Sequence, residues 1–109
     1  MGEHLVKKIV RTLYTTAAAT TVTGTIKDIG VLTRYLLEIP NLTGDWTTTL
    51  SLKDANGVVI FTGAAHAENG NYSVPIDVEI DGTYTVTLTF SGTATAGELL
   101  YLTFWIRDM

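Results

Sequence analysis

Residues 83–91 alternate without a break. Tyr84, Val86, Leu88 and Phe90 fall on one face, and Thr83, Thr85, Thr87 and Thr89 on the other. A period of two over nine residues fits a strand with one covered side and one wet side, and fits no helix. Threonine suits the wet side because its β-branch follows the pleat while its hydroxyl meets water. The same pattern returns along most of the chain, so it constrains the fold more than any other feature.

Residues 21–29 read as a strand, with Val22, Gly24 and Ile26 on one side and Gly30 ending it. Residues 31–39 form another, closed by Pro40-Asn41. Trp46, Thr48, Leu50 and Leu52 alternate against Thr47, Thr49, Ser51 and Lys53. Asp54-Ala55-Asn56-Gly57 is a strong turn signal, since Asn and Gly tolerate positive φ, and residues 58–62 return as the hairpin partner. Residues 63–71 read as a loop holding His66 and Glu68. Tyr72, Val74, Ile76, Val78 and Ile80 form the next apolar face. Pro75, which has no N–H to donate, puts that strand at an edge or turns its missing amide away from the neighbour. Asp81-Gly82 reads as a tight turn into residues 83–91, and residues 99–107 close the chain after a loop of small residues.

Residues 5–14 are ambiguous. Leu5, Val6, Ile9, Val10 and Leu13 fit a helical stripe, whereas a strand would place Leu5, Ile9 and Leu13 beside Lys7 and Arg11. The β-branched content and the all-β context favour a strand. The expected architecture is therefore all-β: a single antiparallel β-sandwich, jelly-roll or Ig-like, of about eight strands. It would form one domain over residues 1–109, with residues 1–14 either an N-terminal arm or the first strand. A chain of 109 residues can bury one core without covalent staples. The predicted core includes Ile76, Val78, Val86, Leu88, Leu102 and Phe104.

Composition narrows the function. A net charge of −4 argues against nucleic acid as the main ligand. The absence of cysteine removes disulfides, thiol nucleophiles and cysteine-based zinc sites. No apolar stretch reaches the roughly 18 residues of a membrane helix, and no N-terminal run has the pattern of a secretory leader. His4 and His66 stand in no metal-ligand spacing and read as exposed loop residues. Asp77, Glu79 and Asp81 lie along one strand and its turn. Calcium would need oxygens converging from several segments, so these carboxylates read as charges protecting an edge strand. No serine has a nucleophile-elbow setting and no glycine loop suits a phosphate. The expectation is no enzyme, no metal and no cofactor.

Two apolar features remain. Trp46, Tyr35 and Tyr72 could make a sugar-stacking platform, although Trp46 and Tyr72 begin inner-face alternations and fit core ends better. In the last strand, Leu100, Leu102, Phe104 and Ile106 complete an inner face, and Leu99, Tyr101, Thr103 and Trp105 fall on the other. If water meets that second face, it is an apolar patch of the kind that marks an interface. The candidate partner-contacting residues are Leu99, Tyr101 and Trp105, with the basic cluster Lys7, Lys8 and Arg11.

The order of these segments resembles a family. Residues 13–26 (Leu-Tyr-Thr-Thr-Ala-Ala-Ala-Thr-Thr-Val-Thr-Gly-Thr-Ile), the hairpin over residues 50–57 (Leu-Ser-Leu-Lys-Asp-Ala-Asn-Gly) and the closing turn over residues 93–100 (Thr-Ala-Thr-Ala-Gly-Glu-Leu-Leu) are similar to small β-sandwich virion proteins of tailed bacteriophages. The resemblance implies a non-enzymatic virion component: a capsid decoration or cement protein, or a neck accessory. It implies partners among the major capsid protein or other virion subunits, lattice binding or homo-oligomerisation, and no direct contact with nucleic acid or membrane. It transfers no catalytic residue. The other reading of the sequence is a carbohydrate-binding or adhesin-type β-sandwich module of a fibre or cell-surface assembly.

Overall fold

A computed structural model describes residues 6–108; His4 and Leu5 lie outside them. Six strands form one antiparallel sheet: β1 (Val6–Thr15), β2 (Thr21–Ile39), β3 (Thr47–Lys53), β4 (Val59–Ala67), β5 (Gly70–Phe90) and β6 (Leu99–Arg107). Their order across the sheet is β1-β6-β2-β5-β3-β4. The ambiguous first segment is a strand, paired with β6 from Val6↔Arg107 to Thr15↔Leu99.

Six strands stand where the sequence suggests eight, because two expected breaks are not breaks. β2 and β5 pair along their whole length, from Thr21↔Thr89 to Ile39↔Gly70. Gly30 faces Ile80, and Gly82 faces Asp28, so both glycines lie within the ladder. Gly82 has a φ of 121°, which a side chain would strain. A Cβ on Gly30 would lie 2.5 Å from the Arg107 carbonyl oxygen. The two glycines let both strands turn a corner together, and pairing continues through it.

The corner divides the sheet into two wings. β6 pairs with the later part of β2, from Val31↔Arg107 to Glu38↔Tyr101. β3 pairs with the end of β5, from Thr48↔Phe90 to Lys53↔Thr85. One wing thus holds β1, β6 and the adjoining parts of β2 and β5; the other holds their remaining parts with β3 and β4. Contacts cross between the wings. The Tyr35 hydroxyl reaches His66 on β4, and Tyr14 on β1 packs against Gly24 on β2. One core cluster lies between them, drawing Leu32, Tyr35, Leu37, Leu100, Leu102 and Phe104 from one wing and Leu50, Leu52, Val86 and Leu88 from the other. Ile76 and Val78 are half-buried rather than core. Their part of β5 has β2 as its one neighbour and ends the wing. Pro75 sits in that open stretch, opposite the bulge at Leu32/Arg34, where its missing N–H costs least.

The β3–β4 turn matches its sequence signal. The Asp54 carboxylate accepts from the N–H groups of Asn56 at 2.9 Å and Val58 at 3.0 Å, and Gly57 takes a φ of 79°. Residues 63–67, expected in a loop, instead extend β4, and the turn into β5 shrinks to Glu68-Asn69, with Asn69 at φ 56°. Asn is among the few non-glycine residues that accept that conformation.

Candidate partner-binding face

The outer face of the first wing is built from cross-strand rows. Ile9 of β1 stands opposite Trp105 of β6, which faces Arg34 of β2. The next row is Arg11, Thr103 and Leu36; the one beyond it is Leu13, Tyr101 and Glu38. Side chains opposite one another across an antiparallel ladder stand close enough to touch. The first and third rows are apolar and aromatic on β1 and β6 and charged on β2; the middle row reverses this, with Arg11 and Thr103 beside Leu36.

Among the described residues no other strand packs over this face, although Thr103 within it is buried by its neighbours. Ile9 is 59% exposed, Leu13 47% and Leu99 45%, while Tyr101 and Trp105 are half-buried. Leu99, Tyr101 and Trp105 therefore share the face expected of them. The sequence also holds Ile9 and Leu13 at the right spacing, but that strand register mixes them with Lys7 and Arg11. The mixture hid their contribution to the patch.

Arg11 joins the apolar and polar parts. Its guanidinium lies 3.9 Å from the centre of the Tyr101 ring, and its Nη2 donates to Glu38 Oε1 at 3.2 Å. A planar guanidinium can stack on a ring and hold a carboxylate at once. Arg34 donates to the Ser73 hydroxyl at 2.7 Å and fixes the far rim. Beside Tyr101, Glu38, Ile39, Pro40, Asn71 and Leu99 outline a shallow depression of about 190 Å³.

Lys7 and Lys8 do not join this face. Lys8 Nζ lies 2.9 Å from Asp28 Oδ2, and Lys7 Nζ lies 3.7 Å from Asp28 Oδ1 and 3.6 Å from Asp108. Lys7 also donates to the Ile29 carbonyl. The hydrogen bond from Lys8, with the Ile29 N–H and the two nearby positive charges, holds the Asp28 carboxyl below its ordinary range. The two lysines tie the start of β1 to β2 by ion pairs while remaining exposed at the β1 edge. Of the basic cluster, Arg11 alone stands on the candidate face.

The three residues weighed as a sugar platform are not three free rings. Tyr35 is fully buried. Tyr72 stacks on His66 with ring centres 4.4 Å apart. Trp46 wedges between Gly44 and Gly92, where added Cβ atoms would meet its ring at 2.6 and 2.1 Å. His66 is likewise not an exposed loop residue. It belongs to β4, half-buried, with Nε2 2.7 Å from the Tyr35 hydroxyl. Burial pushes the His66 pKa down and the Tyr35 pKa up, so both are neutral near pH 7. Asp77, Glu79 and Asp81 are exposed along β5, and no three His, Asp or Glu side chains converge among the described residues.

No protein-family model and no curated protein matches the chain. Among solved structures it is similar to TmCBM61 in complex with β-1,4-galactotriose, at 13% identity over 96% of this chain and 74% of that one, with a TM-score of 0.49. It is similar to a family 6 carbohydrate-binding module at 14% identity, over 97% of this chain and 91% of that one, with a TM-score of 0.46. It is also similar to dimeric latent PorU from Porphyromonas gingivalis at 13% identity and a TM-score of 0.41; there it covers 94% of this chain and spans 13% of that one.

Proposed function

We propose that this chain is a non-catalytic β-sandwich module that docks on a partner protein through the outer face of β1 and β6. The folded six-stranded sheet supplies the two layers, and the second layer gives the docking face a rigid backing. One observation carries the reading: Ile9, Leu13 and Leu99 stand exposed around Tyr101 and Trp105 on one face of the sheet. Aliphatic side chains in such numbers suit a dry protein contact, and aromatic and arginine residues are the usual anchors within one. The resemblance of the segment pattern to phage virion proteins supports a capsid subunit, or another virion subunit, as the partner. On a lattice, repetition would add avidity to a modest single contact.

The test is Trp105→Ser, read by thermal melting and by co-sedimentation with the purified shell. The expected variant stays folded and no longer binds. An aromatic anchor at the centre of an interface contributes about 2 kcal/mol or more. A variant that both melts and binds like the parent removes this face from consideration.

A second reading, glycan binding, is favoured by the depression beside Tyr101. An aromatic ring, the Glu38 carboxylate and the Asn71 amide meet there, and these are the groups that stack on and hydrogen-bond to a sugar. Two of the similar solved structures are carbohydrate-binding modules, a likeness that concerns the fold. NMR titration with β-linked oligosaccharides separates the readings. Saturable shifts at Tyr101, Glu38 and Asn71 would favour the glycan; silence there, with shell binding intact, favours the protein partner.

A further inference from the structure

We propose that β4 is a self-pairing edge, joining two copies of this chain through antiparallel β4–β4 contact. Among the described residues the sheet leaves four long stretches of strand with a neighbour on one side only: β1, residues 21–30 of β2, residues 70–84 of β5, and β4. An open edge presents unpaired backbone N–H and C=O groups and so can recruit another strand, which proteins prevent with charge or proline. Three of the four edges have such guards. β1 bears Lys7, Lys8 and Arg11; the β2 stretch bears Lys27 and Asp28; the β5 stretch bears Pro75, Asp77 and Glu79. Residues 58–67 read Val-Val-Ile-Phe-Thr-Gly-Ala-Ala-His-Ala, with no Lys, Arg, Asp, Glu or Pro.

This edge is also exposed and apolar. Val58 is 57% exposed, Val59 49% and Ile60 37%. Its one blunting device is a pair of irregularities in its pairing with β3, between Thr49/Ser51 and Leu52/Lys53. These twist the strand but put no charge on it.

Two properties make a second copy the fitting occupant. The first is charge: β4 has no formal charge near pH 7, so pairing it with itself sets no like charges opposite one another, whereas pairing β1 with itself would oppose lysines and arginines. The second is size. Large side chains occupy the first half of the strand, and small ones, His66 excepted, the second. Antiparallel pairing centred between Thr62 and Gly63 would set Phe61 against Ala64, Ile60 against Ala65, and Val58 against Ala67. Val59 would face His66, and the other three large side chains would each meet an alanine, as suits a two-fold contact of a single self-complementary surface. This contact is remote from the Trp105 face and independent of what binds there.

Sedimentation velocity of the full chain over a concentration series, combined with amide hydrogen exchange, tests it. The expected result is a concentration-dependent dimer, with residues 58–67 gaining protection as the dimer forms. Ile60→Lys and Ala65→Lys, one in each half of the pairing, should each give a folded monomer over the same concentrations. Trp105→Ser should leave the dimer intact. A parent chain that stays monomeric throughout overturns the proposal. So does a dimer that survives both lysine variants, or one whose residues 58–67 gain no protection.

Discussion

The two faces of β6 are made of similar side chains and have opposite surroundings. Leu100, Leu102, Phe104 and Ile106 are all buried against the other wing. On the reverse, Leu99 is exposed, and Tyr101 and Trp105 are half-buried on a sheet face that no other element covers among the described residues. Hydrophobicity alone therefore does not separate core from interface in this strand. What separates them is whether side chains from elsewhere in the sheet pack over them. A strand apolar on both sides is ordinarily covered on both, and here, among the described residues, the chain covers one side and leaves open the other, the face proposed above for docking.

The sharpest way to break this contrast is Leu102→Ala. It removes a fully buried side chain where the two wings meet, so it should cost about 2–5 kcal/mol in denaturant melts. A loss under about 1 kcal/mol would mean that the inner face is not the packed one, and the comparison would collapse.

Acid tests the inner side differently. His66 is the described histidine, and it packs from β4 against Tyr35 and Tyr72. Its folded pKa lies below the ordinary 6.5 because burial disfavours the imidazolium. The unfolded chain therefore binds the proton more readily than the folded one, and stability rises with pH across this window. The contribution is fully present above about pH 6.5 and is lost as pH falls from there through the lower folded value. His66→Gln should flatten that part of the stability profile. An unchanged slope between pH 7 and 5 would show that the Tyr35 contact does not depend on a neutral ring.

Much of the fold was legible because its signals are local. Alternation over residues 83–90 and 99–107 identified inner faces correctly at Val86, Leu88, Leu102 and Phe104, and the Asp54–Gly57 turn rests on side chains that bond their own backbone. The count of strands was not legible. Gly30 and the Asp81-Gly82 pair look like terminators one at a time; only the register that sets Gly30 opposite Ile80 and Gly82 opposite Asp28 shows them sharing one corner. His66 was misread for a similar reason. Its neighbours Tyr35 and Tyr72 come from other strands, and no spacing within residues 63–71 announces them. On the candidate face, Leu99, Tyr101 and Trp105 followed from period two, whereas the separation of Arg11 from Lys7 and Lys8 depended on where Asp28 and Glu38 lie in space.

The smallest expected effect concerns how the outer face is held ready. Arg11 stacks on Tyr101 and donates to Glu38, and its side chain remains mostly exposed. An exposed cation–π contact contributes about 0.5–1 kcal/mol, and an exposed ion pair about 0–1 kcal/mol, weakened further by salt. Arg11→Ala should therefore lower stability by about 0.5–2 kcal/mol, at or below the bottom of the range for Leu102→Ala. Its consequence for binding should be larger than that figure, because Tyr101 would lose the group that fixes its orientation. Arg11→Lys keeps the charge but not the planar stack. If the stack positions Tyr101, Arg11→Lys should bind the partner as poorly as Arg11→Ala while melting like the parent. If Arg11→Lys binds like the parent, charge alone matters at this position, and the outer face needs no ordering of its aromatic ring to be recognised.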